Sequence, residues 1–256
     1  MGAKTGYADA ILRVLGLRPG QGSADRTHYI FCEPDQGVRL LLEAYRDRDL
    51  ALAAADIIRG WGKSGEEPRA LWDRLRAEGP PKGPGVDPRE VARWVWTWGR
   101  SYNTKGPAAG FLPSESRNGT KVWNAHPPEY YATRITDAPT LPATITDDAR
   151  KVDPPRLPDG TVAYMDPPYL GTTGYRHDLG RGAVLELARK WEAAGALVCI
   201  SEAEPIGALV ADGWSVVEIT GERKGQKRTF SKQQREYLTL SRPPAWKPPV
   251  QGQLFG

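Results

Sequence analysis

Apolar residues in this chain gather in short continuous runs, and between several of those runs the spacing changes to the three-and-four rhythm of a helix. The first block opens with THYIFCEPD (27–35), passes through the helical pattern GVRLLLEAYRDRD, and reaches LALAAAD (50–56). The second begins at ATITDDA (143–149) and TVAYMDPPY (161–169). A helical pattern follows, GAVLELARKWEAAG (182–195), then ALVCIS (196–201), WSVVEIT (214–220) and EYLTLS (236–241). Continuous apolar runs of strand length read as strands buried on both faces. Their alternation with helices predicts an α/β fold with a doubly wound, mostly parallel sheet. A polar loop without helical spacing joins the last two runs, so the last strand is expected to be antiparallel.

Residues 57–142 have a different texture. They hold six of the nine tryptophans (Trp61, Trp72, Trp94, Trp96, Trp98 and Trp123), many basic residues, and the Pro/Gly-rich stretch EGPPKGPGVDP. This predicts an inserted, mainly helical and irregular lobe, with helices near 66–78 and 87–98. Its tryptophans either pack as a small core or face a ligand; composition alone leaves both open. The expected organisation is a main domain from 1–56 and 143–242, the lobe 57–142, and a proline-rich extended tail at 243–256.

Composition narrows the class. With 26% charged and 39% hydrophobic residues, the 256-residue chain has the balance of a soluble globular protein. No apolar run approaches the ~18 residues of a membrane span, and the N-terminus lacks a signal-peptide pattern; a cytoplasmic location is expected. Cys32 and Cys199 lie far apart in apolar runs, which suits buried thiols in a reducing compartment. His28, His126 and His177 lack metal-ligand spacing, so no metal is expected. The net charge of +4 permits an anionic partner.

Acids stand where the predicted strands end: Glu33 and Asp35 in FCEPD, Asp56 in AAAD, Asp147 and Asp148 in ITDDA, and Asp166 after TVAYM. Ligands of doubly wound sheets bind at the carboxyl ends of strands, and an acid after the second strand suits ribose hydroxyls. One such acid would merely suggest a helix cap. Four in succession favour a nucleoside cofactor. In DPPY (166–169), Asp166 accepts from an amino group, Pro167 and Pro168 hold a turn whose carbonyl accepts a second hydrogen, and Tyr169 offers a face to a planar base. Two acceptors on an exocyclic amino nitrogen aim its lone pair at an electrophile, and a sulfonium methyl fits.

Taken with their order, these segments make the chain resemble the Dam-type DNA adenine N6-methyltransferases over nearly its whole length. GAKTGYADAIL resembles the family's opening G-x-K motif, which would give Gly2 and Lys4 contacts to S-adenosylmethionine. CEPDQGVRLLL resembles E-P-F-x-G-x-G, implying cofactor roles for Glu33 and Gly37. AAADI implies ribose binding by Asp56, ITDDARKV implies adenine reading by Asp148, and DPPY is the catalytic motif. RSYNTKG resembles a segment of the family's target-recognition domain. The departures are Asp35, where the family has phenylalanine, and Arg39, where it has its second glycine. The fold implied is the Rossmann-like class I methyltransferase fold.

The resemblance implies base flipping, stacking on Tyr169, and direct in-line transfer of a methyl group to the N6 amino group of adenine in double-stranded DNA. Cytosine N4 methylation uses the same chemistry, and a catalytically impaired DNA-binding relative is a third reading, drawn from Asp35 and Arg39. The target sequence would be read by Arg100, Tyr102, Asn103 and Lys105. Arg223, Lys224, Lys227 and Arg228, in GERKGQKRTFSKQQR (221–235), would contact phosphates. The tail ends in Gln251, Leu254 and Phe255, a Q-x-x-L-F spacing that resembles sliding-clamp-binding peptides, so a bacterial sliding clamp is a second expected partner.

Overall fold

A computed structural model describes residues 7–17, 29–79, 86–101, 110–122, 125–154, 161–168, 179–219 and 236–245. They fall into two compact units, one holding residues 29–149 and the other 7–17 and 150–245.

In the first unit, β1 (Tyr29–Cys32) lies parallel to β2 (Ala143–Thr146), with Tyr29 opposite Ala143 and Cys32 opposite Thr146. Five helices accompany this pair: α2 (Gln36–Arg46), α3 (Arg48–Lys63), α4 (Pro68–Ala77), α5 (Pro88–Gly99) and α6 (Pro128–Thr136), while α1 (Ala8–Val14) belongs to the second unit. Acids start four of them. The side chains of Asp35, Asp47, Glu67 and Asp87 accept from first-turn N–H groups, and proline opens α4 and α5, where its missing N–H costs nothing. The core draws Leu40 and Ala44 from α2, Ile58 from α3, Leu71 and Leu75 from α4, Val91 and Trp96 from α5, and Ile135 from α6. Residues 36–56 therefore share their core with the segment 57–142 that was expected to stand apart as a lobe. Trp72 and Trp96 are wholly buried, which answers the question of the tryptophans for these two in favour of packing.

The segment LALAAAD is a correction: it lies inside α3 and is not a strand. Alanine is the strongest helix former, and Ala51, Ala54, Ala55 and Ile58 recur at i, i+3, i+4 and i+7, all buried on one face. The run looked continuously apolar because Leu52 and Ala53 occupy part of the outer face.

In the second unit the strand order is β3-β4-β6-β5. β3 (Val162–Met165) runs parallel to β4 (Leu197–Glu202), while β6 (Glu236–Leu240) is antiparallel to both β4 and β5 (Ser215–Ile219). The last strand is thus antiparallel and sits between two others. The pleat gives the sheet two apolar faces. On one, Val162, Cys199, Leu238, Leu240, Val217 and Ile219 meet Tyr7, Ile11 and Val14 at α1 (Ala8–Val14). On the other, Ala163, Met165, Val198 and Ile200 meet Val184, Ala188 and Trp191 of α7 (Arg181–Ala193) and Leu209 of α8 (Gly207–Ala211). The described strands therefore form a two-stranded and a four-stranded sheet, not one continuous sheet. After β6, Arg242 donates to the Gly195 carbonyl at 2.8 Å, and the Ala245 N–H to the Val14 carbonyl at 3.0 Å. Among the described residues no helix is long and apolar enough to cross a membrane.

Candidate functional site

Asp166 follows the last residue of β3, so it stands at the carboxyl end of a strand flanked by parallel β4. Its residue is exposed, Pro167 is buried and Pro168 half-buried. Neither proline has an N–H to give a ladder, so strand pairing stops here and the acid projects beyond it. Tyr169 lies outside the described residues.

Three strands change character at this edge, on the face that α1 covers elsewhere. Along β3 the residues on that face run Val162, Tyr164, Asp166; along β4, Cys199 then Ser201; along β6, Leu240, Leu238, Glu236. Ser201 and Glu236 are fully buried, and the Ser201 hydroxyl donates to Glu236 Oε1. The Tyr164 hydroxyl is the second side-chain partner of that serine. Burial, and after it the Asp166 charge, hold the Tyr164 phenol well above its ordinary pKa, with Ser201 opposing. On the opposite face Glu202, buried, pairs with Arg181 of α7 at 3.0 Å. Burial raises the Glu202 carboxyl, Arg181 opposes, and the charges of Asp166 and Glu236 raise it further. Three carboxyl groups, Asp166, Glu202 and Glu236, thus gather at this end of the sheet, with Arg181 paired to Glu202. The sequence reading missed Ser201, Glu202 and Glu236. A visible signal was there: a glutamate opening EYLTLS where its strand neighbours on the same face are leucines.

In the first unit, Glu33 extends β1 by donating its N–H to the Thr146 carbonyl at 2.9 Å. Its carboxylate accepts from the Asp35 N–H at 2.9 Å, and burial holds it above its ordinary pKa. Asp148 follows β2 on the same edge, close enough that its charge, after desolvation, raises the Cys32 thiol. The structure therefore brings Glu33 and Asp148 to one edge of the parallel pair. The two departures from the family pattern have local tasks. Asp35 caps α2 by accepting from Gly37 and Val38 at 2.8 and 3.1 Å, and Arg39 donates to the carbonyls of Glu33 and Pro34 at 2.6 and 2.8 Å. Gly37 is buried beneath the Trp94 ring.

Two expected site residues stand elsewhere. Asp56 is on α3, mostly exposed, and pairs with Arg59 at 3.1 Å, so it ends no strand. Arg100 is only 3% exposed; its guanidinium lies 5.7 Å from the Trp96 ring centre and 5.0 Å from that of Phe111. A side chain held inside an aromatic cluster does not read a base edge, and Arg100 is corrected to a packing residue. Its burial lowers its pKa. Gly2, Lys4, Tyr102, Asn103, Lys105, Arg223, Lys224, Lys227, Arg228, Gln251, Leu254 and Phe255 lie outside the described residues.

No protein-family model matches this chain, and no curated protein matches it either.

Proposed function

We propose that this chain is an S-adenosylmethionine-dependent DNA methyltransferase acting on the exocyclic N6 amino group of adenine. The observation that carries the reading is the position of Asp166-Pro167-Pro168: an exposed carboxylate and a doubly constrained backbone at the carboxyl end of a strand. Asp166 accepts one amino hydrogen and the Pro167 carbonyl the other, which fixes the nitrogen and directs its lone pair away from the ring. Tyr169 stacks on the base.

S-adenosylmethionine supplies, when bound, an electrophilic methyl on a sulfonium cation. The exposed Asp166 carboxylate suits a cationic donor and favours the positive charge that passes to the amino nitrogen. Glu33 and Asp148 offer paired acceptors for the nucleoside, with Gly2 and Lys4 completing the cofactor contacts. Double-stranded DNA is the partner, held by the basic run 221–235 and by Tyr102, Asn103 and Lys105. The tail residues Gln251, Leu254 and Phe255 would dock on a sliding clamp.

One observation favours the reading as a catalytically impaired relative: Arg39 places a cation at the end of β1, where the family has bare glycine backbone. Calorimetry with S-adenosylmethionine tests it, since absence of binding by the folded protein would leave only a DNA-binding role. For the activity itself, unmethylated DNA is incubated with enzyme and cofactor, digested to nucleosides and analysed by mass spectrometry. N6-methyladenine is expected. N4-methylcytosine would transfer the reading to cytosine, and neither product despite bound cofactor would end it.

A further inference from the structure

We infer that Ser201 and Glu236 are positioning residues for Asp166, acting through Tyr164. The inference rests on the reading of Asp166 as acceptor of the target amino group.

On the face toward α1, β6 carries Leu240 and Leu238, both fully buried, and then Glu236, equally buried. On β4 the same face carries buried Cys199 and then buried Ser201. An apolar residue at either place would continue the core, and a buried carboxylate or hydroxyl is unfavourable unless hydrogen-bonded. The polar pair occurs on neighbouring strands at the end where Asp166 emerges. β4 is hydrogen-bonded to β6 on one side and to β3 on the other. The Glu236–Ser201–Tyr164 chain therefore crosses three strands and ends two residues before Asp166, on the same face of β3. Met165 pairs with Ile200, so the register carried one residue further sets Asp166 beside Ser201. The hydrogen bond between buried Ser201 and buried Glu236 ties β4 to β6 stiffly, where a pair of leucines would tolerate sliding. Its effect is to fix the end of β3, and with it the direction in which the Asp166 carboxylate points.

The test uses the full chain and three variants, Ser201→Ala, Glu236→Gln and Tyr164→Phe. Steady-state methyl transfer, cofactor Kd by calorimetry, and Tm are read for each. The expected result is a kcat lower by about tenfold to a hundredfold, because a small displacement of a reacting group costs that much, with cofactor Kd within about twofold of wild type. Ser201→Thr, which keeps the hydroxyl, restores most of kcat. Wild-type kcat in Ser201→Ala overturns the inference, as does an equal loss of kcat and Tm in Ser201→Ala and Ser201→Thr. Tyr164→Phe removes only a hydroxyl from a half-exposed ring, so it carries the test if Glu236→Gln does not fold. Variants that match an active wild type sink this inference alone; a wild type without methyl transfer sinks the reading of Asp166 together with it.

Discussion

Trp94 rests directly on the backbone of Gly37: a Cβ added at Gly37 would lie 2.6 Å from Cε3 of the indole. No real Cβ tolerates that distance, so the glycine here is required by an aromatic ring of α5 packed on the start of α2. Gly37→Ala is expected to cost about 1–3 kcal/mol by overpacking. Urea unfolding measures it, and Trp94→Leu added to Gly37→Ala should recover part of the loss, since residues in contact are coupled. An alanine variant as stable as wild type but weak in cofactor binding would move the glycine's role from packing to the ligand.

Asp166→Ala should leave the fold in place, because the residue is exposed beyond the last rung of β3. Methyl transfer should fall on the order of a hundredfold or more, the usual effect of losing a strong acceptor at a reacting atom. A cleanly folded variant with wild-type turnover would remove Asp166 from the chemistry.

Arg100→Lys tests the burial of that side chain. The guanidinium lies over both the Trp96 and Phe111 rings, whereas an ammonium is a strongly hydrated point charge. A loss of about 1–3 kcal/mol is expected from weaker ring contacts and a poorly solvated charge. Denaturant unfolding gives the number. Full stability with impaired DNA binding would return Arg100 to base contact.

Glu78 accepts from both terminal nitrogens of Arg89, at 2.6 and 2.7 Å, and lies 3.7 Å from Arg93 Nε. Arg89 foremost, then Arg93 and Arg74, hold its carboxyl below its ordinary 4.5, against an opposing effect of burial. The folded state thus binds this proton less readily than the unfolded chain. The resulting stability is fully present above pH 4.5 and is lost as pH falls through the lower, folded value. Because the pair is partly exposed, Glu78→Gln should cost only about 0.2–1 kcal/mol near neutrality. The two proteins should converge in acid, and urea midpoints at about pH 7 and about pH 3 check this. A gap that persists at the acid end would assign the loss to packing.

Much of the frame could be read from periodicity. YIFC, VAYM and LVCISE are strands, EVARWVWTWG lies within a helix, and the antiparallel pairing of β5 with β6 follows from their polar connection. Asp166 could be placed at a strand end for the same reason. LALAAAD misled because alanine fills an apolar run without preferring a strand, and only the capping Asp47 and the buried spacing of Ala51, Ala54 and Ala55 separate the two readings. Arg100 misled because a basic residue in a polar stretch looks solvent-facing, while the rings that enclose it come from Trp96 and from distant Phe111. Ser201 and Glu236 were invisible as a pair for a similar reason, since 35 residues separate them in the chain and only β4–β6 pairing unites them.

The place of β6 also sets an order of events during synthesis. Among the described strands, β5 pairs with β6 alone, so the nascent chain makes β5 before anything exists for it to pair with. Until residues 236–240 leave the ribosome, β4 keeps an open edge, the kind of surface on which incomplete chains stick to one another. Glu236 arrives with that same strand. A chain halted shortly before it would already carry Asp166 and Ser201 but not the carboxylate that Ser201 binds. Completion of the sheet and completion of the candidate site are one event, and stalled or truncated products should be both aggregation-prone and inert.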